Sequence, residues 1–268
     1  FGPQPPSLAQ YQIIQQLLRE DYEVRNVDLT SGQVPSDIDV MLVIAPQNMS
    51  PLEQYALDQF LMRGGSVFVA AGNYALTQSP VDGSLALQPI TNGLRDLLAS
   101  YGVDVSDALV LDPQNEPFPI QVPNQAGQLV VQAINYPHFI DIRQDGMNDD
   151  TTLLNNLPAI TLNWTSPITV TAGDEIEVIP LLSSSEQSWT TTDLTVIPNI
   201  DLYPENGFPV TGLRASQTLA VALRGSFTSF YAENPPPFAA PEPITEATPE
   251  DNNLTHRSLV FPAQHPTP

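Results

Sequence analysis

The stretch from Asp37 to Tyr74 decides the fold. It opens as Asp37-Ile-Asp-Val-Met-Leu-Val-Ile-Ala-Pro46 and closes as Arg63-Gly-Gly-Ser-Val-Phe-Val-Ala-Ala-Gly72-Asn-Tyr74. Between them runs Ser50-Pro-Leu-Glu-Gln-Tyr-Ala-Leu-Asp-Gln-Phe-Leu-Met62. The near-continuous apolar run from Asp39 to Ala45 reads as a strand buried on both faces, as in parallel sheets. Ser50 at the cap, Pro51 in the first turn and Glu53 three residues after Ser50 predict the start of a helix. Leu52, Tyr55, Ala56, Phe60 and Leu61 fall on one face of it. Gly64-Gly65 ends it, and Ser66–Ala71 reads as a second buried strand. The unit is β-α-β, and such crossovers are right-handed.

Outward from this unit the pattern repeats. Residues Ser7 to Asp21 predict a helix, with apolar residues recurring at spacings of three and four. Tyr22–Leu29 reads as a strand, Thr77–Pro89 as a loop carrying Pro80, Gly83 and Pro89, Asn92–Tyr101 as a helix stopped by Gly102, and Val103–Asp112 as a strand. Alternating strands and helices over residues 1–112 predict an α/β domain: a mostly parallel, flavodoxin-like sheet flanked by helices. Residues 113–171 read as a β-rich, proline-containing insertion, with strands at Leu129–Ile134, Ala159–Trp164 and Ile168–Val170. Residues 172–232 then complete the domain. Glu175–Leu182 returns to the sheet, and Leu219–Leu223 and Phe227–Tyr231 form a hairpin around Gly225. Residues 233–268 are proline-rich and acidic and read as a linker or tail.

Charge narrows the function. The chain of 268 residues has 30 acidic and eight basic residues, a net charge of −22, and every basic residue is arginine. Such a surface repels phosphate backbones and anionic lipid headgroups, which argues against nucleic-acid binding and against docking on a bilayer through basic patches. There is no cysteine. That removes disulfides, thiolate nucleophiles and thiolate metal sites together. No apolar run reaches the length that spans a membrane. The chain begins at Phe1 without methionine and reads as a piece of a longer polypeptide, with any anchor outside it.

Few residue patterns carry chemistry. His138, His256 and His265 are far apart, whereas a zinc site needs three or four converging ligands. Asp145-Gly-Met-Asn-Asp-Asp150 resembles a calcium loop only superficially, because the sixth and twelfth positions hold Asp150 and Asn156. Without lysine a P-loop is impossible. Ser183-Ser184-Ser185 follows a strand and would need His138 as base to act as a hydrolase; a polar turn is the plainer reading. Trp164 and Trp189 adjoin strands, where core packing competes with exposed carbohydrate stacking.

Three segments taken together resemble a known family: Asp37 through Gly72, Ile179-Pro-Leu-Leu-Ser-Ser-Ser-Glu-Gln-Ser-Trp189, and Leu219-Ala-Val-Ala-Leu-Arg-Gly-Ser-Phe-Thr-Ser-Phe230. Their order and spacing are similar to the extracytoplasmic domain of GldG-like, gliding-motility-type auxiliary ABC transporter proteins, over roughly Ser7 to Tyr231. The resemblance implies a membrane-anchored protein on the extracytoplasmic side of a bacterial membrane, working with an ABC permease and ATPase. It also implies a fold like that of class I glutamine amidotransferases. Those enzymes place a cysteine on the turn after the strand matching Ser66–Ala71. Here the turn reads Ala71-Gly72-Asn73-Tyr74, and none of Gly72, Asn73 and Tyr74 replaces a thiolate. The family's usual first strand and its turn are reduced to Phe1-Gly2-Pro3-Gln4.

The expectation is therefore a non-catalytic auxiliary domain acting in assembly or ligand binding, with no catalytic residue, metal or cofactor. Gly72, Asn73 and Tyr74 form its candidate ligand crevice. A carbohydrate-binding module using the tryptophans, or a hydrolase using the serine run, are the alternatives.

Overall fold

A computed structural model describes residues 11–78, 84–123 and 128–238. The chain divides into a large unit, residues 1–237, and a terminal one, residues 238–268, of which only Phe238 is described. The helix expected from Ser7, the Phe1–Gln4 turn, most of the acidic tail, His256 and His265 lie wholly or partly outside the described residues.

The β-α-β unit forms where the sequence placed it. Strand β1 (Val40–Ile44) and β2 (Ser66–Ala70) pair in parallel, with Leu42 opposite Phe68. They flank helix α2 (Pro51–Met62), whose N-cap Ser50 accepts from Glu53 N while Glu53 returns a bond to Ser50 N at 2.7 Å. This reciprocal box satisfies two backbone donors that a helix start otherwise leaves open. Ahead of them lies the short helix α1 (Gln12–Leu18).

The parallel sheet expected around this unit does not form. Among the described residues, β1–β2 is the single parallel pair, and six further pairs are antiparallel and two-stranded. The flavodoxin-like and amidotransferase-like architecture is corrected accordingly. One physical reason lies in β1 itself. Met41 and Val43 pack inward, whereas Val40 and Leu42 of β1 and Phe68 of β2 are 57, 42 and 54% exposed. An apolar run predicted burial on both faces, and only one face is covered.

The later strands choose antiparallel partners. The region read as a loop forms the ladder of β3 (Tyr74–Gln78) with β4 (Leu85–Pro89). After helix α3 (Arg95–Ser100), the single strand expected at Val103–Asp112 splits into β5 (Val103–Val105) and β6 (Leu109–Leu111). A hairpin follows, β7 (Phe118–Pro123) with β8 (Leu129–Ile134). Next come β9 (Phe139–Ile142) with β10 (Ile160–Asn163), and β11 (Ile168–Val170), which pairs back onto β5. Strand β12 (Ile176–Ser183) pairs with β14 (Thr218–Gly225), and β13 (Trp189–Thr191) with β6. The hairpin expected around Gly225 is replaced: β14 closes on β12, and residues after it enter a 3-10 turn at Phe230–Ala232.

Among the described residues, three apolar clusters hold the unit together. The first joins Met41, Val43, Phe60 and Leu97 across β1, α2 and α3. Strand β6 separates the other two. Its residues Leu109 and Leu111 enter the cluster with Trp189 and Tyr136, and Val110 enters the one with Ile140 and Leu182. Period-two alternation along a strand produces this division. Inside the first cluster sits Asp58, fully buried on α2. It accepts from Tyr101 Oη, Phe230 N, Ser229 Oγ and Gln59 Nε2 at 2.7–2.8 Å. Four donors offset the desolvation of that carboxylate, and they tie α2 to the residue after α3 and to the 3-10 turn. Gly102 follows α3 at φ +82°, where a Cβ would overlap the Thr171 carbonyl, so the α3–β5 junction requires glycine.

Candidate functional site

The turn after β2 is a knot of short polar links. Asn73 Nδ2 donates to Ser106 O at 3.0 Å, and Ile90 N donates to Asn73 O at 2.9 Å. Asn92 Nδ2 donates to Gly72 O at 3.3 Å and to Asn73 Oδ1 at 3.4 Å, while Asn92 Oδ1 accepts Leu94 N at 2.8 Å. The Tyr74 hydroxyl donates to the Asp107 carbonyl, and the Asp107 carboxylate pairs with Arg95. Burial pushes the Tyr74 phenol up, and the charge of Asp107 adds to that. The structure thus brings Gly72, Asn73 and Tyr74 together with Asn92 and Asp107. Their polar atoms are largely spent on one another, so the turn holds β2, β3 and the β5–β6 connection in register.

The serine run is also engaged. Ser185 Oγ and Ser185 N donate to the two oxygens of buried Asp112, both at 2.7 Å, and Gln114 N adds a third donor at 2.8 Å. Ser184 Oγ lies 2.7 Å from Ser188 Oγ and accepts Gln217 N at 2.8 Å. These are ties between β6, the β12–β13 turn and the approach to β14. His138 is not their base. It is fully buried, and neither ring nitrogen has a hydrogen-bond partner among the described residues. Burial pushes its pKa down to about 4; the Thr195 backbone and the Asp193 carboxylate favour the charged form without outweighing burial. A space of about 10 Å³ adjoins the ring, bounded by Asp193, Thr195 and Phe208.

The remaining sequence candidates take structural places. Trp189 is fully buried and donates through Nε1 to Pro209 O at 3.0 Å, which withdraws it from carbohydrate stacking. Trp164 is half-buried and stands edge-on to Phe139 at 5.0 Å. Asp145–Asp150 includes a 3-10 turn, and Asn148 Nδ2 fixes the segment to Pro180 O at 2.7 Å. No group of three or more metal-ligating side chains converges among the described residues.

The larger cavity lies elsewhere. A groove of about 550 Å³ opens between residues 25–36 and the end of α2, lined by Arg25, Asp28, Ser31, Gln33, Ser36 and Arg63 among others. Its volume suits a small solute. Arg63 donates to Val34 O at 2.8 Å and to Pro35 O at 2.7 Å, and its guanidinium stacks on Phe60 at 5.0 Å. A guanidinium has five donors, and two are committed here. Arg25 pairs with Asp37 at 2.7 Å. The Asp28 carboxylate, turned onto Thr30 N and Oγ1 at 2.9 and 2.7 Å, is held below its usual range by those bonds.

Residues 2–256 match the family model described as an ABC-type uncharacterized transport system. The chain belongs to this auxiliary ABC-transport family. One relative is an uncharacterized protein of Borreliella burgdorferi, 26% identical over 220 residues; the match covers 79% of this chain and 41% of the relative. The chain thus spans about two-fifths of the length of the curated relative it matches. No solved structure matches. No helix among the described residues is long and apolar enough to cross a membrane.

For a member of the auxiliary ABC-transport family, the groove is the feature that reading the sequence missed. Arg25 and Arg63 are far apart in the chain and belong to no motif. The signal available was their rarity, since a lysine-free chain with eight arginines places two of them on one groove.

Proposed function

We propose that this chain is a non-catalytic auxiliary domain of a bacterial ABC transport system. It stands on the extracytoplasmic side, anchored through segments beyond Phe1–Pro268, and works with the system's permease and ATPase. The family match over residues 2–256 carries this reading. Two features support its non-catalytic character. The Gly72-Asn73-Tyr74 turn offers no nucleophile and uses its polar atoms internally, and the serine run has Asp112 rather than a histidine as partner.

Between assembly and ligand binding, the groove favours binding. Arg25 and Arg63 give it cationic donors in a chain of net charge −22. Planar guanidinium donors suit a carboxylate or phosphate-bearing solute. The test has two arms. Affinity purification of the full-length protein from native membranes should bring down an ABC ATPase and permease; recovery of neither overturns the transport role. Calorimetric titration with small carboxylates and phosphates should give binding that Arg63→Ala weakens about tenfold, the loss of a charge-assisted hydrogen bond or two. Binding unaffected by Arg63→Ala overturns the assignment to the groove.

A further inference from the structure

The β7–β8 hairpin is an uncharged arm on a highly charged chain. From Pro117 to Ile140 there is no Asp, Glu, Arg or Lys, although the chain carries 30 acidic and eight basic residues. The base of the hairpin is anchored. Phe118 packs against Tyr136 at 5.0 Å and Phe139 at 5.4 Å, and Ile134 is buried. Farther along β8, Leu129, Val130 and Val131 are 68, 41 and 70% exposed. A two-stranded hairpin with solvent on both faces is marginally stable alone.

Its two edges differ. Pro119 and Pro123 have no N–H, so neither can belong to a residue pair that exchanges two ladder bonds. The exchanging pairs are therefore Phe118–Ile134, Ile120–Gln132 and Val122–Val130 in the observed register. It follows that the outward amide positions of β7 are 119, 121 and 123, and proline leaves two of the three without a donor. Proline on an outer edge is a device against strand addition. On β8 the outward groups belong to Leu129, Val131 and Ala133, all with a free N–H. Among the described residues, strand β8 pairs on one edge only.

We propose that β8 pairs antiparallel with β8 of a second copy of this chain, making a four-stranded sheet about a two-fold axis. The outward set centres on Val131, so Val131 meets its own equivalent and Leu129 meets Ala133 of the second copy. A two-fold interface must be self-complementary, and Leu-Val-Val-Gln-Ala-Ile is apolar or neutral at every position. Charge selects this face for a like partner. Two chains of net charge −22 repel through their acidic surfaces, and screening acts over about 8 Å at physiological salt. The uncharged arm lets two copies meet without adding like charges at the contact.

The experiment is sedimentation velocity on the full chain across the micromolar range, with variants. Wild type should show a concentration-dependent dimer. Val131→Pro removes an outward donor and leaves the β7 ladder intact, as Pro119 does on the opposite edge. It should weaken the dimer about tenfold or more, since each copy loses an axial hydrogen bond. Val131→Asp, which sets two carboxylates directly opposite one another on the axis of chains that already repel, should weaken it likewise and reads the same contact should the proline variant not fold. Phe68→Ser, on the exposed face of β1–β2, should leave the dimer unchanged. A wild type that stays monomeric overturns the proposal, and so does a dimer that Val131→Pro and Val131→Asp leave intact or that Phe68→Ser dissociates.

Discussion

The His138 ring stands edge-on to Phe208, 4.8 Å between centroids, with both imidazole nitrogens lacking a hydrogen-bond partner among the described residues. An imidazole so placed is held neutral. The folded protein keeps it unprotonated down to about pH 4, whereas the unfolded chain protonates it below about 6.5. Between those values the unfolded state binds the extra proton, so stability falls as pH drops. Above the window both states are neutral, and below it both are charged. The loss across the window is about 3 kcal/mol. Urea unfolding from pH 7 to 4 should show this decline, and His138→Phe should remove that share of it. Asp193, Asp28 and Asp37 are held below their usual range and lose their contribution further down as they protonate. The difference between wild type and variant therefore isolates the histidine.

Asp58 gives a second prediction. Asp58→Ala leaves the Tyr101 hydroxyl, the Ser229 hydroxyl and the Phe230 N–H without their acceptor. An unsatisfied buried donor costs about 1–3 kcal/mol. The variant should lose about 4 kcal/mol in urea unfolding, enough to threaten folding. Tyr101→Phe, removing one donor and leaving the carboxylate its others, should lose about 1 kcal/mol. Equal losses for the two would contradict the role given to the carboxylate.

Asn92 gives a third. Its side chain donates to Gly72 O and Asn73 Oδ1 and accepts from Leu94 N. Asn92→Ala should destabilise by about 1–2 kcal/mol. Amide exchange should accelerate at Ile90 and Leu94 more than at the β12–β14 ladder. Uniform acceleration would mean that the turn is not a local unit.

Much of the local structure was legible in the sequence. The Ser50–Glu53 box, α2, and the strands at Leu129–Ile134, Ile168–Val170 and Glu175–Leu182 follow from periodicity and capping, which act over a few residues. Pairing was not legible. An apolar run shows that a strand forms, not which partner it takes, and the β-α-β unit wrongly implied that later strands would extend its sheet. The Thr77–Pro89 reading failed because two prolines and a glycine in the stretch point to a loop, whereas Thr77–Gln78 and Leu85–Pro89 take part in a ladder that residue type alone does not announce. For Gly72, Asn73 and Tyr74, the missing nucleophile could be read from residue type. The partners Asn92 and Asp107 could not, because they arrive from other elements.

The contacts of Asp58 also set an order of events. The donor at Phe230 lies 172 residues farther along the chain. A ribosome delivers the helix carrying Asp58 long before it delivers that donor. Until then the first apolar cluster encloses an incompletely partnered carboxylate, so it cannot reach its final stability as an independent early nucleus. The unit closes only when nearly all of residues 1–237 have emerged. A chain stopped before Ser229 should therefore be a poor folder even with every strand from β1 to β14 present.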